Sequence, residues 1–146
     1  MNRNEIIARL MENDSTVLSF PDRGPWGDQK YRGNCSGWYQ AFLIWKYKVK
    51  KFAELFAGSG TGFDVAKDMK IDYVGADLNP TPVRPGILCV NAVTDEVPIQ
   101  FTDADFFLCI RHMELRSGSP MPVLCIRTQV VNYQNVTWGR CHGKHL

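Results

Sequence analysis

The segment Phe52-Ala-Glu-Leu-Phe-Ala-Gly-Ser-Gly-Thr-Gly62 gathers more chemistry than any other part of the chain. An apolar run carries one acid, Glu54, and then turns through Gly58, Gly60 and Gly62 into a stretch with helical character. Glycine lets a backbone turn sharply and approach a ligand to contact distance, and the N-terminus of the following helix offers unpaired N–H groups. Glu54, Phe56, Ala57, Gly58, Gly60, Thr61 and Gly62 are therefore candidate cofactor-binding residues. A second apolar run, Tyr73-Val-Gly-Ala-Asp-Leu78, ends in Asp77 and Leu78, where an α/β nucleotide site needs a carboxylate for the ribose hydroxyls. The two strand ends together are far more specific than a glycine pattern alone. A dinucleotide-binding domain shares this geometry but usually reads Gly-x-Gly-x-x-Gly, whereas the spacing here is Gly-x-Gly-x-Gly.

These strand ends resemble the S-adenosylmethionine-dependent methyltransferases of the Rossmann-like class. The wording Phe-Ala-Gly-Ser-Gly-Thr is that of DNA methyltransferases that modify exocyclic amino groups of adenine or cytosine. The resemblance covers residues 15 to 110 and implies an α/β fold with a partial doubly wound, mostly parallel sheet. It implies S-adenosylmethionine as cofactor, with its methionine end against Gly58, Gly60 and Gly62 and its ribose on Asp77. It places Asn91 and Ala92, after Gly86-Ile-Leu-Cys-Val90, against the adenine. It also implies that a loop and helix before the glycine motif close over the cofactor carboxylate. Asn34 and Ser36 fit that task, because N–H groups at a helix start attract a carboxylate.

The elements that must position these residues are legible in outline. Asn4 to Met11 has helical apolar spacing, with Asn4 as its N-cap, and Thr16 to Phe20 reads as a short strand. Residues 21–37 are rich in Gly, Pro, Asp and Asn and read as a long functional loop. Within it Trp26 and Tyr31 are interleaved with Arg23, Lys30 and Arg32, a pattern suited to nucleic acid through phosphate contacts and base stacking. Ser36 caps a helix from Gly37 to Lys48, whose Trp38, Phe42, Leu43, Trp45 and Tyr47 pack on the sheet. Phe63 to Met69 follows as a short helix, then the strands ending at Asp77 and Val90, and Asp105 to Ile110 reads as a fully buried central strand. Alternation of strand and helix argues a parallel doubly wound sheet.

A chain of 146 residues with 45% hydrophobic content is large enough for one core. No apolar run is long enough to span a membrane and no signal pattern opens the chain, so no membrane partner and a cytoplasmic location are expected. Five cysteines in that setting read as reduced thiols. The net charge of +2 conceals an acidic stretch over residues 51–110 between two basic flanks, which suits a sulfonium ligand at the centre and phosphates outside.

Where the resembled enzymes keep a catalytic tetrapeptide, an Asp, Asn, Ser or His followed by Pro-Pro and an aromatic, this chain reads Ile110-Arg-His-Met-Glu-Leu115. An exocyclic amine is a poor nucleophile because its lone pair is delocalised into the ring. That tetrapeptide accepts its hydrogen bonds and stacks on the extruded base. Nothing in 110–115 does this. A reading frame shifted by one nucleotide permits His-Pro-Pro-Tyr-Gly across Cys109 to Glu114, so the domain reads as residues 1–110 followed by an irregular, truncated or frameshifted tail over 111–146. Catalytic residues are therefore unassigned. Three alternatives stay open: a module that binds S-adenosylmethionine or a nucleoside without catalysis, a dinucleotide-binding oxidoreductase, and a zinc site in the tail, where Cys109, His112, Cys125, Cys141, His142 and His145 lie.

Overall fold

The structure is a computed structural model and describes residues 1–12, 18–31, 34–92, 94–96, 98–113 and 121–127, the last seven and 110–113 by their backbone path. The elements in chain order are α1 (Arg3–Met11), α2 (Gly37–Lys46), β1 (Lys51–Leu55), α3 (Thr61–Met69), β2 (Asp72–Asp77), β3 (Ile87–Cys89), β4 (Phe106–Met113) and β5 (Met121–Arg127), with a 3-10 turn at Ile99–Phe101. They form an α/β fold. The sheet runs β3-β2-β1-β4-β5, and its first four strands are parallel. β5 pairs antiparallel with β4 from Phe107↔Arg127 to Met113↔Met121. Among the described residues no helix is long and apolar enough to cross a membrane.

Alternation along β1 sorts its side chains to two faces. Phe52 joins Ile6, Leu10, Trp38, Ile44, Val65 and Phe106 in a core under the three helices. Ala53 faces the other way, where Val74, Ala76, Val90, Phe101 and Ala104 pack together. The three helices thus share one face of the sheet, and the segment around Val90 to Ala104 lies on the other.

Several boundaries differ from the sequence reading for local reasons. The N-cap of α1 is Asn2 rather than Asn4, because Asn2 and Glu5 form a reciprocal capping box, with the Glu5 N–H donating to Asn2 at 3.0 Å and the Asn2 N–H donating to Glu5 at 2.9 Å. α2 stops at Lys46, where the chain turns through Lys48 at a φ of 53°. Tyr47, expected in the core, is half exposed and stacks on Phe106 at 5.9 Å. Leu18 to Phe20 is not strand, and the rest of the expected Thr16 strand lies outside the described residues.

Residues past Ile110 are not uniformly irregular. β4 continues to Met113, and Met121-Pro-Val-Leu-Cys-Ile-Arg127 supplies its antiparallel neighbour. That run is apolar with β-branched residues, as a strand requires, and Pro122, which has no N–H to donate, is tolerated on an edge strand. Residues 128–146, with Cys141, His142 and His145, lie outside the described residues.

Candidate functional site

At the C-terminal end of β1 the backbone leaves the sheet through Phe56, which holds a φ of 62° and is 42% exposed. Few bulky residues adopt this left-handed conformation. The Ala57 N–H donates to Ala76 O at 3.0 Å, tying the loop to β2. Gly58 and Gly60 follow at φ of 51° and 79°, conformations open to glycine at little steric cost. Gly60 is the N-cap of α3, and its carbonyl accepts the Asp64 N–H at 3.1 Å.

Asp77 closes on this loop from the end of β2. Its Oδ2 accepts the Gly58 N–H at 2.7 Å and its Oδ1 accepts the Asn79 N–H at 2.9 Å. The two sequence signals therefore meet in one mouth, held by a charge-assisted hydrogen bond. Leu78, 66% exposed, stands beside it. Val90 N–H donates to Asp77 O at 2.9 Å, which brings the β3 end and Asn91 alongside; the Asn91 N–H is taken by Asp95 at 2.8 Å. Asn91 and Ala92 do not line the cavity described next.

Beneath the loop is a small cavity of about 40 Å³ whose walls include Tyr31, Asn34, Gln40, Glu54, Phe56, Ala57, Gly58, Ser59 and Thr61. It joins α2, β1 and the start of α3. Glu54 forms its base and is only 4% exposed. Its Oε1 accepts from Gln40 Nε2 at 2.9 Å and its Oε2 from the Tyr73 hydroxyl at 2.8 Å. Burial pushes the Glu54 carboxyl up to about 8, against the pull of those two hydrogen bonds, with the Asp77 charge adding to the rise. A side chain at Gly62 would begin 2.2 Å from Glu54 Oε2, so the bare backbone there makes room for the buried acid. Asn34 is engaged at both ends: its Nδ2 donates to Asp28 O at 2.9 Å and its Oδ1 accepts the Thr61 hydroxyl. Ser36 lies outside the cavity, with its hydroxyl 3.5 Å from Arg23 O.

The loop over residues 21–37 behaves differently from an exposed nucleic-acid arm. Trp26 is 3% exposed and packs edge-on against Trp38 at 4.9 Å, while its indole N–H donates to Asp68 at 2.9 Å. It is a core anchor and cannot stack on a base. Gly27 N–H donates to Asp64 at 3.0 Å, and Asp64 also takes the Arg84 guanidinium at 2.9 and 3.0 Å. Tyr31 is 47% exposed and lies over Gly58. Arg23 and Lys30 are exposed, and Arg32 lies outside the described residues.

A wider groove of about 570 Å³ opens at the opposite end of the sheet, between Arg3, Lys48, Lys50 and Lys70 over Ile44 and Met69. None of the sequence-predicted residues reaches it, and its one acid is Asp72. Among the described residues no group of three or more His, Cys, Asp or Glu side chains is placed to hold a metal ion.

Sequence reasoning missed Gln40, Ser59, Tyr73 and Arg84. For Gln40 a signal existed: it is the one uncharged amide within the apolar helix Gly37-Trp-Tyr-Gln-Ala-Phe-Leu-Ile-Trp-Lys46. No family model, no curated protein and no solved structure matches this chain.

Proposed function

We propose that this chain binds S-adenosylmethionine in the manner of the DNA amino-methyltransferases it resembles, and that it does not transfer the methyl group. The observation that carries the reading is the Gly58 N–H bond to Asp77, which joins the glycine loop and the β2 acid beside the small cavity lined by Gln40 and Glu54. Asp77 keeps lone pairs free for ribose hydroxyls, and the exposed Phe56 and Tyr31 rings flank the place an adenosyl group would enter. The parallel order β3-β2-β1-β4 suits the Rossmann-like class, since ligands of such sheets sit beyond the carboxyl ends of the strands. The absence of the Pro-Pro-aromatic tetrapeptide from 110–115 favours binding without catalysis. DNA is the proposed partner, held weakly through the exposed Arg23 and Lys30.

Calorimetry tests this directly. The folded protein should bind S-adenosylmethionine or its demethylated product, and not NAD. Asp77→Ala should weaken that binding by about 1–3 kcal/mol, the cost of a lost hydrogen bond to a charged group. No binding of either compound, or tighter binding of NAD, overturns the assignment. For DNA, replacing Arg23 and Lys30 should lower the slope of log affinity against log salt by about one unit per lost phosphate contact. An unchanged slope removes the loop as the DNA surface.

A further inference from the structure

We propose that the groove at the end of the sheet opposite the glycine loop binds an aliphatic chain that carries an anionic head, a carboxylate or a phosphate ester. The inference stands on residues that the cofactor reading does not use. The floor of the groove is apolar, with Ile7, Ile44, Val49, Met69 and Ile71 beside Trp45. Ile44, Val49 and Met69 are buried and Ile7, Trp45 and Ile71 half-buried, so this apolar surface is recessed, and a flat partner such as a bilayer or a duplex does not reach it. A slender chain does. The volume of about 570 Å³ lies within the roughly 300–1,000 Å³ of small-molecule pockets.

The rim supplies the charge. Arg3, Lys48, Lys50 and Lys70 are exposed there against one acid, Asp72, and none of these five side chains makes an ion pair among the described residues. α2 and α3 end beside the groove, and a helix C-terminus carries only about half a negative charge, so the two ends offset part of the surplus and not all of it. Arg3 opens α1, where a cation opposes the helix dipole, so its own helix does not explain its place. Nor does the backbone ask for lysine at two of the other points. The Val49 N–H donates to Ile44 O at 3.0 Å and the Ile71 N–H to Ala66 O at 3.1 Å, closing both helices through a turn whose left-handed residue is usually glycine. Here those residues are Lys48 at a φ of 53° and Lys70 at a φ of 56°. Two helices thus place a lysine where glycine would be unstrained, and both lysines border the same groove. An anionic head meets these cations while its chain covers the floor, and a cationic head of the same length is repelled.

Titration calorimetry on the full chain with decyl phosphate below its micellar concentration tests the groove, beside decyltrimethylammonium and inorganic phosphate. Decyl phosphate should bind at one site and at least about tenfold tighter than the cation, the ratio expected when two or more rim charges change from repulsion to attraction. Inorganic phosphate should bind at least about tenfold more weakly than decyl phosphate, since it leaves the floor uncovered. Lys48→Gly and Lys70→Gly should each weaken decyl phosphate about two- to fivefold and should hold or raise the melting temperature, because glycine takes the left-handed turn without strain. Equal affinity for the two decyl compounds, more than one decyl phosphate bound per chain, or phosphate alone bound as tightly overturns the proposal. So does undiminished affinity in both lysine variants, and a lower melting temperature in them would then assign the lysines to the helix ends alone. Tighter binding of an acidic peptide carrying two leucines than of decyl phosphate would give the groove to a protein segment instead. Should the lysine variants not fold, Lys50→Gln, outside both helices, takes their place.

Discussion

Glu54 shows how one residue can carry opposite demands. Its folded-state carboxyl titrates near 8 because burial disfavours the anion, against an ordinary value of 4.5. The folded protein therefore holds a proton that the unfolded chain has released between those values. Stability from this group is fully present below about pH 4.5 and is lost as pH rises through about 8. The melting temperature should fall across that window, and Glu54→Gln, which keeps an acceptor for Tyr73, should flatten the fall. A melting temperature as steep in the variant as in the wild type would place the titration elsewhere. Glu54, Asp77 and the three glycines were legible in sequence because they sit at fixed distances along two strand ends. Gln40 was not legible as a partner, since its meeting with Glu54 depends on how α2 crosses β1. At Gly62 the structure adds a packing reason that the sequence did not show, since a side chain there would meet the buried acid.

At the scale of elements, the strand positions were readable from apolar runs, and the long loop was misread in one respect. Alternating cations and aromatics suggested that Trp26 could stack on a base, but an indole N–H can be buried when a carboxylate is in reach, and Asp68 on α3 provides it. Trp26 therefore pins the loop over residues 21–37 to α3 and to Trp38. Trp26→Ala should cost about 3–5 kcal/mol in urea denaturation, the usual loss for a buried aromatic. Because the loop also carries Tyr31 and Asn34, ligand affinity should fall with it. Ile99, 75% exposed on its 3-10 turn, is the contrasting control: Ile99→Ala should change stability by no more than about 0.5 kcal/mol. A large effect at Ile99 with a small one at Trp26 would invert this account.

For the molecule as a whole, the sequence conveyed a parallel sheet up to Ile110 and nothing ordered beyond it, since the charged and polar residues after Met113 mask the return of the chain as β5. Hydrogen exchange reads the difference: amides in the ladder from Phe107 to Met113 and from Met121 to Arg127 should be protected together. Rapid exchange throughout 111–127 would instead favour the shifted frame. The antiparallel return has a further consequence. β4 is eight residues long and rich in apolar side chains, whereas β3, at the other border of the sheet, has three residues. β5 is what keeps a long row of β4 N–H and C=O groups from recruiting a strand of another molecule. A variant ending at residue 120 should accordingly gain light scattering with concentration and time while the full chain stays clear, so the segment that departs furthest from the resembled enzymes would also be the one that guards this protein against self-association.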